Sequence, residues 1–445
     1  MSYLSRIKQP DVRKGYSHFD NPVSYREVAH LVENPEWVCQ HAFYPLISTD
    51  LDCSKYAKIR ETDSQKAFVP KYRHISYAAH LDHRIYQCYA LRWYDEYQNE
   101  LDERGLSCCI AAYRPGRRMS NITCAAKAIN FIRNMGDCVV LTGDFKDFFP
   151  SIQHGMMLDA MRKLYPGGFI PEDSYRVLKS VLKYAEWPLD NLLKLRGFDI
   201  STKSKREKAL RIINMEKRPI IDTQAFRENK SKAISLPWRK DDGGAAGIPQ
   251  GLAVSGVLSN IYMLDADTGV NRRATASGGF FSRYCDDFIV VIPGDSIRPL
   301  EDILRFLKSY PGLLLSPTKT KLYRVAGDTV YRLTNGESIS SHLSYLGFDF
   351  NGRDVALRQK TIGRFYNRYY RNIRLLRDRK IRPTNAEIKA IYRRFSYKGA
   401  FMGQPFSSGN FLSYVRRAQR AFPDDPISTP FEKMYRKIKT NLRDI

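Results

Sequence analysis

The sequence predicts an α+β fold, and three observations predict it. Long helix-like stretches come first, as in ISYAAHLDHRIYQCYALRWYDEYQNELDERG and CAAKAINFIRNMG, separated by the turn-like YRPGRRMSN. Short β-branched and aromatic runs follow at CVVLTGDF and FSRYCDDFIVVI. After Asp354 the pattern turns helical and basic to the end.

Taken in order, residues 1–60 form a Tyr-rich N-terminal extension with helix around SYREVAHLVEN. CVVLTGD reads as a buried strand ending at Asp144, and Pro150-Ser151 as the start of a helix, where proline is tolerated. Residues 155–245 carry further helices, including the exposed, basic KSKREKALRIINMEKR, and end in the glycine-rich DDGGAAG. GIPQGLAVSGVLSNIYMLDAD is a loop feeding a helix of small residues. FFSRY alternates bulky and polar side chains and FIVVI is continuously apolar, so the two read as strands joined by a tight turn at Cys285–Asp286. LSPTKTKLYR and SYLGFDF add a strand and another hairpin arm. No internal repeat or low-complexity tract is visible.

Composition narrows the class. Hydrophobic residues make up 43% and aromatics 12%, an ordinary make-up for a folded protein with an ample core. The first twenty residues contain no apolar signal region, and no run of eighteen apolar residues occurs, so the expected location is cytoplasmic, with no membrane partner. The eight cysteines show no C-x-x-C spacing and read as reduced thiols. His74, His80, His83 and Cys88 fit no common metal spacing and read as structural.

The net charge of +25 is concentrated: residues 353–445 hold 23 Lys/Arg against 7 Asp/Glu. Aromatic residues interleave with that charge, a mixture suited to a phosphate backbone and its bases. Arg364, Arg368 and Arg371 fall at i, i+4 and i+7, on one side of a helix.

Two adjacent carboxylates, Asp286 and Asp287, inside an apolar run need compensation: they protonate, pair with cations, or hold a metal. A strand end and a hairpin tip of one sheet can converge. Asp144 with Asp286 and Asp287 could therefore supply the carboxylates for two divalent ions, the arrangement used for in-line phosphoryl transfer. Mg²⁺ would offset the charge.

DFKDFFPSI, GIPQGLAVSGVLSNIYM, YCDD, SPTKTK and SYLGFDF resemble, in order, the palm motifs of reverse transcriptases, and YRPGRRMS resembles a fingers motif of the bacterial ones. The resemblance covers roughly residues 71–350 and is nearest to the retron, group II intron and abortive-infection lineage, most like a stand-alone defence-associated enzyme of the type 2 class. It implies a right-hand polymerase with a mainly antiparallel palm sheet and a helical, basic thumb. The implied division is fingers at 61–137, palm at 138–154 and 246–352, a fingers elaboration or insertion at 155–245, and thumb at 353–445.

By the same resemblance Asp144, Asp286 and Asp287 are catalytic metal ligands for two Mg²⁺, with Mn²⁺ able to substitute, and Phe145 lends its carbonyl. Lys71, Arg73, Phe149, Gln250, Gly251 and Lys319 face the nucleotide, Phe149 lying under its sugar. Tyr284 and Cys285 flank the primer end, and Arg364, Arg368 and Arg371 hold primer and template. The implied activity is RNA-directed DNA synthesis from dNTPs, copying a structured non-coding RNA into a DNA product in antiphage defence. The 106 residues from Asp144 to Gln250 exceed the usual palm spacing, and no ribonuclease H or endonuclease motif follows the thumb. Three alternatives stand beside this reading: a catalytically idle RNA-binding protein, an RNA polymerase of the same palm fold, and a nucleotide cyclase.

Overall fold

Helices and mainly antiparallel strands alternate along the chain in the computed structural model, which describes residues 3–7, 13–57, 67–115, 119–334, 336–379, 382–397 and 409–443. Gly116, Arg117 and Arg118 of the YRPGRRMS motif lie outside the described residues. The chain divides into two units. One comprises Met1–Ser107, Lys146–Thr268 and Tyr310–Leu314, the other Cys108–Phe145, Gly269–Ser309 and Leu315–Ile445. No described helix is long and apolar enough to cross a membrane.

The first unit is helical around a small sheet. Its longest helix, His80–Glu103, buries Ile85, Tyr86, Tyr89, Trp93 and Tyr97, spaced to form one stripe. The helix-like pattern in the sequence began earlier, at Ile75, but Tyr72–Tyr77 is a strand. It pairs antiparallel with Leu46–Asp52, which lies within the N-terminal sixty residues and pairs parallel with Glu186–Pro188. Partner strands decide what local periodicity cannot.

Polar groups fasten this sheet. The buried Glu186 carboxylate accepts from Ser76 Oγ and lies 2.7 Å from His74 Nε2, while His74 Nδ1 lies 2.8 Å from Asp50. The hydrogen bond to Glu186 is the largest influence on His74 and holds its pKa up at about 9, so the ring is cationic at neutral pH.

The second unit is built on a fully antiparallel six-stranded sheet with spatial order Glu337–Ser340, Thr329–Thr334, Lys321–Ala326, Cys138–Asp144, Asp287–Pro293, Phe280–Tyr284. Every residue of the central strand Cys138–Asp144 is buried, which explains its apolar run Cys138–Leu141. Helix Asn121–Met135, started by a Ser120–Thr123 capping box, packs Ala125, Ile129 and Ile132 onto Val140, Ile289 and Val291. The same core continues through the Leu343–Tyr345, Phe348–Phe350 and Val355–Leu357 sheet into Phe365, Tyr369 and Ile373 of helix Gln359–Asp378. Helices Asn385–Phe395, Phe411–Ala421 and Met434–Arg443 complete it.

Candidate active site

The sheet of the second unit brings the three acids together. Asp144 is the last residue of the central strand and sits directly opposite Asp287 in the register. Asp287 opens the neighbouring strand, and Tyr284 pairs with it across the hairpin, leaving Cys285 and Asp286 as the two turn residues. The backbone N–H of Phe145 donates to the Asp286 carbonyl at 3.3 Å, tying the end of one strand to the turn of the other. One carboxylate oxygen from each of Asp144, Asp286 and Asp287 lies within 4.8 Å of the others, the only such metal-capable group of His, Cys, Asp or Glu among the described residues.

Backbone geometry at this turn is strained. Cys285 has φ +61° where a hairpin turn of this length favours Gly or Asn. Two further non-glycine residues of the same unit with positive φ, Tyr113 (+58°) and Leu346 (+45°), also lie at the site. The Cys285 thiol donates to the Tyr113 hydroxyl at 3.4 Å, and Leu346 shares with Asp287 a cleft of about 530 Å³. Left-handed conformations of this kind cost about 1–2 kcal/mol each and gather where function requires them. Arg283, wholly buried, holds the turn by donating to the Cys285 carbonyl at 2.8 Å.

Close approach dictates a glycine beside the first acid. A Cβ on Gly143 would fall 2.2 Å from the Phe288 ring, so only glycine lets that ring cross the central strand next to Asp144.

Electrostatics oppose full ionisation of the cluster. Burial, then the charges of Asp286 and Asp144, push Asp287 up to about 6. Asp144 is also raised, by burial first, even though Lys319 Nζ lies 2.5 Å from its Oδ2 and pulls the other way. Desolvation wins because Asp144 is 4% exposed whereas the Lys319 side chain is 56% exposed and keeps its hydration. Lys319 is placed by a tight turn in which Lys319 and Thr320 N–H groups donate to Ser316, whose own N–H donates to the Asp144 carbonyl at 2.8 Å. Burial followed by the Asp286 charge raises the Cys285 thiol to about 11, so it is neutral and not a nucleophile at ordinary pH.

Tyr284 is half-buried and lines the same cleft as Lys319, Asp287 and Arg358. Arg358, whose charge draws the Asp287 pKa down, was not legible as a site residue, nor were Arg283, Tyr113 and Leu346. Unusual φ and cross-strand proximity carry no mark in a single sequence.

Within the first unit the remaining nucleotide-facing candidates form a connected group. Lys71 and Arg73 are exposed, beside and on strand Tyr72–Tyr77. Ser76 of that strand donates its N–H to the Gln250 carbonyl at 2.9 Å, and a Cβ on Gly251, which has φ +129°, would fall 2.4 Å from the Ser76 carbonyl oxygen. Phe149 accepts at its carbonyl from Ile248 N–H at 3.0 Å; its ring is half-buried, while that of Phe148 is 4% exposed. These two hydrogen bonds tie the strand and the Phe149 turn to the loop that carries Gln250 and Gly251.

Arg364, Arg368 and Arg371 are exposed on helix Gln359–Asp378, opposite the buried Phe365, Tyr369, Ile373 and Leu376. They share a helix face as the spacing predicted. Arg364 and Arg368 line a recess that Arg371 does not reach.

The donor set fits a hard divalent cation: three carboxylates, no sulfur or imidazole, with burial and neighbouring acids raising the pKa of Asp144 and Asp287 so that a cation would be favoured there. The fold and site together set three carboxylates that could hold a divalent metal at the ends of antiparallel strands. Residues 225–350, which include GIPQG, the Asp286–Asp287 turn, Lys319 and SYLGF, match the family model for reverse transcriptase (RNA-dependent DNA polymerase). That match covers under a third of the chain and begins after Asp144.

No curated protein sequence matches the chain. Among solved structures, apo telomerase from Candida tropicalis truncated from its C-terminal domain overlays with a TM-score of 0.40 at 11% identity, covering 76% of this chain and 61% of that one. Apo telomerase from the same organism gives 0.41 at 13%, covering 94% and 64%. Candida albicans telomerase in complex with a fragment of telomeric RNA gives 0.37 at 11%, covering 95% and 68%. The chain thus spans less than two thirds of the length of both Candida tropicalis chains, and overlays this loose place no residue.

Proposed function

We propose that this protein is an RNA-directed DNA polymerase that adds dNTPs to a 3′ end by two-metal phosphoryl transfer. The observation that carries the reading is the carboxylate triangle of Asp144, Asp286 and Asp287. Two Mg²⁺ ions, or Mn²⁺ in their place, would activate the attacking hydroxyl and neutralise charge on the departing pyrophosphate. Asp144 and Asp286 hold the metals, Asp287 ligates or sets the local field, and Phe145 lends its carbonyl. Lys319, above Asp144, meets the charge of a triphosphate. Tyr284 and the strained Cys285 flank the primer end. In the first unit, Lys71 and Arg73 grip a triphosphate, Phe149 packs under a deoxyribose, and Gln250 and Gly251 back the nucleotide and template.

We assign 138–154 and 246–352 to a palm, 61–137 and 155–245 to fingers and their elaboration, 353–445 to a thumb, and 1–60 to an N-terminal extension. The motif resemblance also supports a bacterial, defence-associated lineage: a cytoplasmic enzyme that copies a structured non-coding RNA against phage. The test is extension of a primer on an RNA template by purified protein with Mg²⁺ and dNTPs, together with sequencing of co-purifying nucleic acid. Template-dependent DNA product supports the reading. Product from rNTPs alone, or none under any divalent ion, contradicts it.

A further inference from the structure

Helices Gln359–Asp378 and Asn385–Phe395 bound a recess of about 1020 Å³. Arg364 and Arg368 stand on one wall, Lys389 and Arg393 on the other, all four exposed and with no carboxylate among the lining residues. The nearest acid on the second helix, Glu387, is turned away to Arg379 and to the Thr384 cap. Each wall therefore carries a like-charge pair at i, i+4, an arrangement that destabilises a helix, and the two pairs share one recess. An anion between them reverses the sign of that interaction. A merely solvated basic face needs no recess and no facing pairs.

The floor is apolar. Phe395 and Phe411 lie 5.6 and 5.3 Å, centroid to centroid, from Phe365; Phe365 and Phe395 are buried, and half-buried Phe411 is the one of the three with ring surface left for a base. A phosphate alone has no use for such a floor, whereas a nucleotide brings a base and a sugar to lay on it. A single strand has unpaired bases free to stack on an exposed ring, whereas a duplex keeps its bases stacked inside.

We infer that this recess holds a short single-stranded segment of nucleic acid, its phosphates between Arg364, Arg368, Lys389 and Arg393 and a base over Phe411. This sharpens the thumb assignment and rests on the nucleic-acid reading of that region, but on no catalytic step. It adds Lys389 and Arg393 to the binding residues and separates Arg371, outside the recess, from Arg364 and Arg368.

The test is fluorescence anisotropy of 5′-labelled rU12 with the full-length protein in EDTA, where the polymerase is silent, so failure of the polymerase reading leaves the result interpretable. Lys389→Glu with Arg393→Glu should weaken rU12 binding by about tenfold or more and lower the salt slope by about 1.4, two phosphate contacts at 0.7 each. Lys389→Arg with Arg393→Lys should restore both. If the charge-reversed protein melts early, Lys389→Gln with Arg393→Gln, read by the slope alone, decides the same question. A blunt 12-base-pair RNA duplex should compete at least tenfold less well than unlabelled rU12. The same titration with dT12 names the strand: tighter rU12 makes the occupant RNA, tighter dT12 makes it the DNA product. An unchanged slope, or a duplex that displaces rU12 mole for mole, overturns the inference.

Discussion

The carboxylate turn and the basic recess both crowd like charges, yet they do so in opposite surroundings. Asp144 is almost wholly buried, and Asp287 is pushed up to about 6, because burial removes the water that would solvate the charges and neighbouring acids repel. Arg364, Arg368, Lys389 and Arg393 are exposed, where water and salt screen charge over about 10 Å. The buried cluster reveals itself by its energetic cost, since nothing but a counter-charge makes it worth keeping. Cations in water cost little, so the exposed cluster must be argued from shape: facing walls and an apolar floor.

The largest effect should come from breaking the buried cluster at its centre. Asp144→Asn should lower nucleotide incorporation by about a thousandfold or more, measured by single-nucleotide extension, with the far-UV spectrum unchanged. Next is Gly143→Ala, which leaves every charge in place but drives a methyl into the Phe288 ring. We expect a loss of about 1–3 kcal/mol in denaturant unfolding. Incorporation should fall as well, because Phe288 follows Asp287 in the same strand.

Much of this cluster was legible in the sequence. The alternation of FFSRY against the continuous FIVVI located the hairpin and its acidic tip, and CVVLTGD located the strand end at Asp144. The pair Phe148–Phe149, one inward and one half-exposed, follows from a single turn of backbone. What stayed hidden depends on partners distant in sequence. Strand Tyr72–Tyr77 ran into a helical pattern and is a strand only because Leu46–Asp52 lies beside it. Arg283 and Arg358 were two basic residues among seventy-two until folding put one beneath the turn and the other on its cleft.

A smaller effect sharpens the contrast through pH. Since the folded pKa of Asp287 lies above its unfolded value, the native state holds that proton more tightly, and the metal-free protein loses stability as pH rises from about 4 to 6. Asp287→Asn should remove this loss: above pH 6 in EDTA the variant should be more stable than wild type by about 1–2 kcal/mol, and below pH 4 the two should agree. Denaturant titrations at pH 4 and 7.5 check it; equal stability at both would show that the carboxyl pays no burial penalty. The smallest effect belongs to the exposed side. Arg371→Glu, outside the recess, should change the rU12 salt slope by less than Arg368→Glu does in the same titration, because screening leaves a lone surface cation little to contribute.

The central claim, that Asp144, Asp286 and Asp287 exist to hold divalent ions, is tested most directly by counting bound Mn²⁺ by electron paramagnetic resonance in the presence of dNTP and a primer on an RNA template. The account predicts two ions per wild-type chain and neither in the Asp286→Ala, Asp287→Ala double variant, whose unfolding transition should remain cooperative. Two ions bound equally well by the double variant would contradict it.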